Sequence, residues 1–304
     1  MIAVLKRFAA HRAAVVGLAF LLALAAAATA APLVAHALSA DMEGVDLFHR
    51  FAGPSLAHPL GTDELGRDVL VRLLYGARVS LLVGLIGAFA ASIVGTLVGL
   101  GAGLAGGRTD SLLMRLTDGV IALPLLPLLI VLAAVDPAKL GLPEAYARGA
   151  EGGLLRIGII VALVSWTTVA RLVRGAALSL RERDFVLAAV AQGASKMRIA
   201  FVHILPNAMG PIVASTALAV GNVILIESVL SFLGLGIQPP QASWGNMLTN
   251  AQDMMLSAPA LALYPGLLIL ATVVACNIAG DGIEAALDPR AEAPGADGSA
   301  PPSA

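Results

Sequence analysis

Long uncharged runs alternate with short polar segments along the chain. A helix needs about 20 apolar residues to cross a hydrocarbon core, and six stretches approach or exceed that length: 13–35, 79–107, 119–135, 154–173, 207–226 and 254–280. The first follows Lys6, Arg7 and Arg12 and is too long for a signal-peptide core, so it reads as an anchor that stays. The third is interrupted by Pro124 and Pro127. Only 157–170 of the fourth is free of charge; it reaches full length if Arg156 and Arg171 snorkel to opposite interfaces. Pro259 and Pro265 are expected to break the start of the sixth, leaving its later part as the span.

Composition agrees with this pattern. Apolar residues make up 58% and charged residues 13% of the 304, against about 25% charged in soluble domains. The expected class is an all-α membrane protein with six transmembrane helices, whose first partner is the lipid bilayer. The net charge of -1, without a dense basic cluster, gives no reason to expect a nucleic-acid partner. Cys276 is the single cysteine, so no internal disulfide forms, and no Cys/His metal pattern exists. His58 with Asp63 and Glu64 supplies one imidazole beside adjacent acids, poor geometry for a metal.

Lys and Arg set the orientation. With both termini cytoplasmic, Lys6, Arg7, Arg12, Arg108, Arg115, Arg171, Arg174, Arg181, Arg183, Lys196, Arg198 and Arg290 lie inside. Arg50, Arg67, Arg72, Arg78, Lys139, Arg148 and Arg156 lie outside, 12 against 7. The chain then divides into residues 1–36 (a cytoplasmic segment and first span), an outer loop 37–78, a core 79–290 containing a cytoplasmic loop 182–207, and a tail 291–304. The tail, rich in Ala, Pro, Gly and Ser, is expected to be disordered.

The loop at 184–206 has its own local logic. Asp184 suits the positive end of a short helix. Phe185, Ala188, Ala189 and Gln192 then share one face at spacings of three and four, and the alanines flatten it. Gly193 can end that helix in a left-handed conformation. Ser195 can cap a second one through Lys196–Arg198, and Pro206 restricts the chain where it re-enters the membrane. In the second run, Gly95, Gly99, Gly103 and Gly107 recur every four residues. That spacing allows close helix contact, either inside this chain or with a second membrane subunit. Asn222 and Glu227, polar in or near the fifth span, are candidate pathway-lining residues; Glu227 either faces a water-filled passage or reaches the outer headgroups. Leu65, Val69 and Leu73 lie four apart and suit an amphipathic helix on the outer interface, and Trp244 suits an interfacial anchor. No Gly-x-x-x-x-Gly-Lys-Ser/Thr sequence occurs, so any ATP used must be held by other subunits.

The stretch from Asp184 to Asn207 resembles the coupling loop of ABC-importer permeases: Glu-Ala-Ala, three residues, Gly, nine residues, Ile-x-Leu-Pro. Ala188, Ala189, Gly193, Leu205 and Pro206 match at that spacing, while Leu187 replaces the Glu and His203 replaces the Ile. Residues 58–69 (HPLGTDELGRDV), 75–81 (YGARVSL), 231–240 (SFLGLGIQPP), 243–247 (SWGNM), 264–266 (YPG) and 280–290 resemble the "C" permeases of dipeptide and oligopeptide importers. The 136–153 segment looks longer than usual in those subunits.

The resemblance implies a type I importer permease fold in a bacterial inner membrane. It also implies a homologous second permease, one or two ATP-binding cassette subunits carrying ATP and Mg, and an extracytoplasmic solute-binding protein. By the same resemblance the chain binds no cofactor and performs no catalysis itself, and the 184–206 loop couples it to ATP hydrolysis. The implied cargo is a di- or oligopeptide, with nickel complexes, glutathione or another small solute as alternatives. A channel or structural subunit would not need the loop. An intramembrane hydrolase using Ser165 and His203 would need a nucleophile motif that the sequence lacks.

Overall fold

The computed structural model describes residues 2–135, 150–249 and 254–287. Among these the regular elements are helical, apart from one antiparallel bridge between Thr62 and Asp68. The chain enters through α1 (Ile2–Ala10), α2 (Arg12–Thr29) and α3 (Ala31–Ala37), then passes through an irregular segment to α4 (Val69–Ala105). α5 (Gly107–Ala122) and α6 (Leu125–Ala134) follow, then α7 (Ala150–Leu180) and the short α8 (Asp184–Ala191) and α9 (Lys196–Arg198). α10 (Leu205–Phe232), the short α11 (Trp244–Met247) and α12 (Ala260–Leu287) complete the order. Among the described residues five helices are long and apolar enough to cross a membrane, and the α5–α6 pair makes a sixth if counted as one broken span.

Several expected boundaries move. α4 begins ten residues before the expected span because Asp68 caps it, accepting a hydrogen bond from the Val71 amide at 2.9 Å. Its 37 residues extend for about 55 Å, well beyond a hydrocarbon core of about 30 Å. The first turns therefore lie within the protein: Val69 and Leu73 are buried against Trp244, and no amphipathic interfacial helix forms there. Leu65 lies in the turn before it.

The third span is bent by 91° between α5 and α6. Pro124 holds Leu123 extended and stops α5, whereas Pro127 fits the first turn of α6. α7 continues well past Arg171. Arg171 pairs with Asp118 at 2.5 Å and Arg174 with Asp110, so these cations tie α7 to α5 and do not snorkel. Pro265 sits inside α12, which starts just after Pro259; only the latter limits the span.

The glycine repeat resolves as packing inside the chain. A Cβ on Gly95 would lie 2.6 Å from the Trp166 carbonyl oxygen, one on Gly99 2.5 Å from that of Ala170, and one on Gly103 2.6 Å from the Ala177 Cβ. Three glycines thus seat α4 directly on the α7 backbone. Gly107, the fourth of the series, meets nothing within 4 Å and begins α5.

Contacts place both ends of the described chain beside the 184–206 loop. Gly282 faces Phe8 and Ala14, Gly210 faces Leu287, and the Arg181 guanidinium donates to the Gly103 carbonyl. The segments 38–68, 233–249 and 254–259 sit at the opposite end. The tail and most of the 136–153 loop fall outside the described residues.

Candidate functional site

The 184–206 loop folds much as its residues dictate. α8 starts at Asp184, whose carboxylate stands in the first turn, and Arg183 precedes it in extended conformation. It ends in a Schellman motif: Gly193 has φ +81, its amide donates to the Val190 carbonyl at 2.9 Å, and the Ala194 amide donates to Ala189 at 3.0 Å. Ser195 caps α9, its hydroxyl accepting from the Arg198 amide at 3.3 Å.

Two details depart from expectation. Ala188 and Ala189 do not form one flat face. Ala189 and Val186 point inward, while Ala188, Gln192 and Phe185 are exposed. Val186 joins Leu100, Val169, Val173, Ile199, Ile204 and Ile212 in a core that seats the loop on α4, α7 and α10. Nor does Pro206 mark a break on re-entry. α9 runs through a π-helical segment, Ile199–Ile204, directly into α10, with Pro206 in the first turn of α10. The π geometry accommodates the amide that Pro206 lacks, and the Asn207 side-chain amide donates to the His203 carbonyl at 2.6 Å. His203 lies in this π segment, partly buried, and Leu205 packs against the loop core. A rigid helical connection therefore runs from the loop into α10.

The loop exposes several apolar side chains among its polar ones. Phe185, Leu187, Val190 and Met197 are 43%, 52%, 53% and 68% exposed, around Ala188 and Ala191. The position where the permease motif has Glu carries Leu187, half-exposed. Exposed apolar side chains grouped on a short loop mark a candidate partner contact.

The other candidate residues separate. Asn222 is exposed on α10, but Glu227 is fully buried and lines no surface of this chain. Five residues turn a helix by about 140° past a full circle, which puts the two on different faces. Glu227 is neither at the headgroups nor in a passage. One carboxylate oxygen accepts from the Ser80 hydroxyl at 3.0 Å and the other from Ser231 at 2.7 Å. The Ser231 oxygen accepts from the Ile237 amide, and the Ser80 oxygen from the Trp244 amide. Trp244 is fully buried and is no interfacial anchor: its indole N–H donates to the Leu73 carbonyl at 3.1 Å. Glu227 thus fastens the 237–247 segment to α4 and α10. Sequence reading could not pair Ser80 with Glu227 because 147 residues separate them; polar residues inside apolar runs were the only signal.

A second polar cluster lies at the same end. Asp63 accepts from the Arg67 amide and from Arg67 Nε at 2.9 and 2.7 Å, and Arg67 Nη2 reaches Glu64. His58 pairs with Asp68 at 3.0 Å. Further out, the His49 ring donates to Asp46 and holds that carboxyl below the usual aspartate range, aided by the Phe48 amide. Among the described residues no group of His, Cys, Asp and Glu has the arrangement of a metal site.

The chain matches the family model described as "Binding-protein-dependent transport system inner membrane component" over residues 72–293. Residues 2–54 match the "N-terminal TM domain of oligopeptide transport permease C". It is 38% identical to a dipeptide transport system permease protein of Alkalihalophilus pseudofirmus, covering 94% of this chain and 88% of the relative. Identity is 36% to an oligopeptide transport system permease protein of Bacillus subtilis, over 93% and 88% of the two chains. With a di/tripeptide transport system permease protein of Pseudomonas aeruginosa it is 39%, over 94% and 90%.

Proposed function

Since the chain belongs to the family of binding-protein-dependent transport system inner membrane components, we propose that it is one of two permease subunits of an ATP-driven peptide importer. It is a multi-pass protein of the bacterial inner membrane. Its partners are a homologous permease, one or two ATP-binding cassette subunits that hold ATP and Mg, and an extracytoplasmic solute-binding protein. The cargo is a di- or oligopeptide, in line with the names of its relatives.

The observation that carries this reading is the 184–206 loop. A surface carrying exposed Phe185, Leu187, Val190 and Met197 stands on a loop whose inner face is fixed by Val186 and Ala189 and which continues as helix into α10. ATPase closure against that surface displaces the loop as a unit and moves α10 with it, switching the pathway between inward- and outward-facing states. An excess of Lys and Arg on the loop side supports a cytoplasmic loop and cytoplasmic termini.

The test is a mild-detergent pull-down of the tagged chain from its native membrane. Recovery of a second multispan permease and P-loop ATPases is expected, and Leu187→Asp is expected to lose the ATPases while keeping the permease. Recovery without any ATPase, under conditions that preserve a known importer, refutes the reading.

A further inference from the structure

One face of α4 is left uncovered by the rest of the described chain. Arg78, Leu82, Leu85, Ile86, Phe89 and Ile93 share it at spacings of three and four, and all six are exposed. At its start, toward the end opposite the 184–206 loop, stands a cavity of about 250 Å³ whose lining includes Tyr75, Arg78, Leu82 and Gln241. Beyond it runs an open groove of about 460 Å³ lined by Leu85, Ile86, Phe89, Ala90 and Ile93, with no polar side chain among them. The polar groups of the cavity are unsatisfied within the chain. Among the described residues none pairs with the Arg78 guanidinium, the Tyr75 hydroxyl or the Gln241 side-chain amide. Arg67, Arg72, Arg171 and Arg174, by contrast, each stand beside an aspartate. Asp41 and Glu43 flank Met42 at the rim of the cavity, but neither lines it or forms an ion pair with Arg78.

Depth decides what can reach these groups. From Arg78 to Gly106, which caps α4 at the loop end, the helix rises about 42 Å. A bilayer with its headgroups is about 40–45 Å thick. Arg78 therefore stands at headgroup level, beside a tyrosine suited to that interface, and the groove lies at acyl depth. Side-chain size separates lipid from protein as the occupant. Helices meet in membranes through small residues, and α4 meets α7 through Gly95, Gly99 and Gly103. The uncovered face carries Leu, Ile and Phe, which hold another backbone away and suit flexible chains. Guanidinium, hydroxyl and amide together supply donors for phosphate oxygens. We propose that a phospholipid of the leaflet opposite the 184–206 loop binds here, its phosphate on Arg78 with Tyr75 and Gln241, and an acyl chain along Leu85–Ile93. The cavity holds one cation and no lining acid, so an anionic headgroup is favoured over a zwitterionic one. The inference needs only the membrane class and is independent of the cargo.

The experiment uses the full chain, purified with its copurifying subunits and placed in phosphatidylcholine nanodiscs. Photoactivatable phosphatidylglycerol and phosphatidylcholine with the same diazirine-bearing acyl chain are the probes, and peptide mass spectrometry maps the labels. Phosphatidylglycerol is expected to label residues 82–93 about fivefold more than phosphatidylcholine does. Leu263, Leu267 and Leu270 on α12, also exposed, are the internal control and should be labelled alike by both. Arg78→Gln is expected to abolish the preference on α4 and leave α12 unchanged, while Arg78→Lys keeps most of it. Arg78 is exposed and unpaired, so neither change disturbs packing; should Arg78→Gln fail to assemble, Leu82→Trp decides, because it fills the cavity and should also abolish the preference. Equal labelling of 82–93 by the two lipids in the wild type means ordinary annular contact and overturns the proposal. So does a preference that survives Arg78→Gln or Leu82→Trp. Labelling of α12 without any on 82–93 means that another subunit covers this face, and overturns it as well.

Discussion

Gly193 offers a quantitative test of the coupling role proposed for the 184–206 loop. Its φ is +81, and a Cβ there would meet nothing within 4 Å. Replacing it therefore disturbs the backbone and no neighbour. An L-residue held in the left-handed region costs about 1–2 kcal/mol, a β-branched one more, and Asn less. That energy lowers the ratio of capped to uncapped loop by about 5–30-fold. The assay is binding-protein-stimulated ATP hydrolysis and peptide uptake by the reconstituted complex. The expected order of activity is wild type, Gly193→Asn, Gly193→Ala, Gly193→Val, with complex yield and thermal midpoint unchanged. If all three variants fall equally, or if Gly193→Val transports normally, the left-handed cap is not what presents the loop and the reasoning fails.

Other expectations follow from the packing. Gly99→Ala should destabilise by about 1–3 kcal/mol because its Cβ collides with the Ala170 carbonyl oxygen. Gly101→Ala, whose Cβ meets only Leu113 at 3.8 Å, should be neutral or slightly stabilising; thermal unfolding in detergent compares the pair. Glu227→Leu should cost about 2–4 kcal/mol by leaving the Ser80 and Ser231 hydroxyls without their acceptor, and should expose the 237–247 segment to protease, whereas Glu227→Gln keeps the geometry and is expected to be tolerated. Because the His49 ring holds the folded Asp46 carboxyl below its ordinary value of 3.8, the stability it lends is complete above about pH 4 and is lost as the pH falls further. Proteolysis near Leu47–His49 should rise over that range in the wild type and be insensitive to pH in Asp46→Asn.

The membrane class, the approximate position of each span and the local form of the 184–206 loop were legible in the sequence. These rest on short-range physics: runs of apolar residues long enough to cross, a left-handed glycine after a short helix, and a serine able to cap the next. The α8 Schellman cap and the Ser195 cap needed only neighbouring residues, so they were legible. What the tertiary structure decided were contacts between residues distant in the chain. Whether Gly95, Gly99 and Gly103 faced α7 or another subunit depended on which helix lay alongside. The alternation of Val186 and Ala189 inward with Leu187 and Ala188 outward depended on where the α4, α7 and α10 core stood. Glu227 and Trp244 looked like surface residues of the membrane because their polarity was visible and their partners, Ser80 and the Leu73 carbonyl, were not.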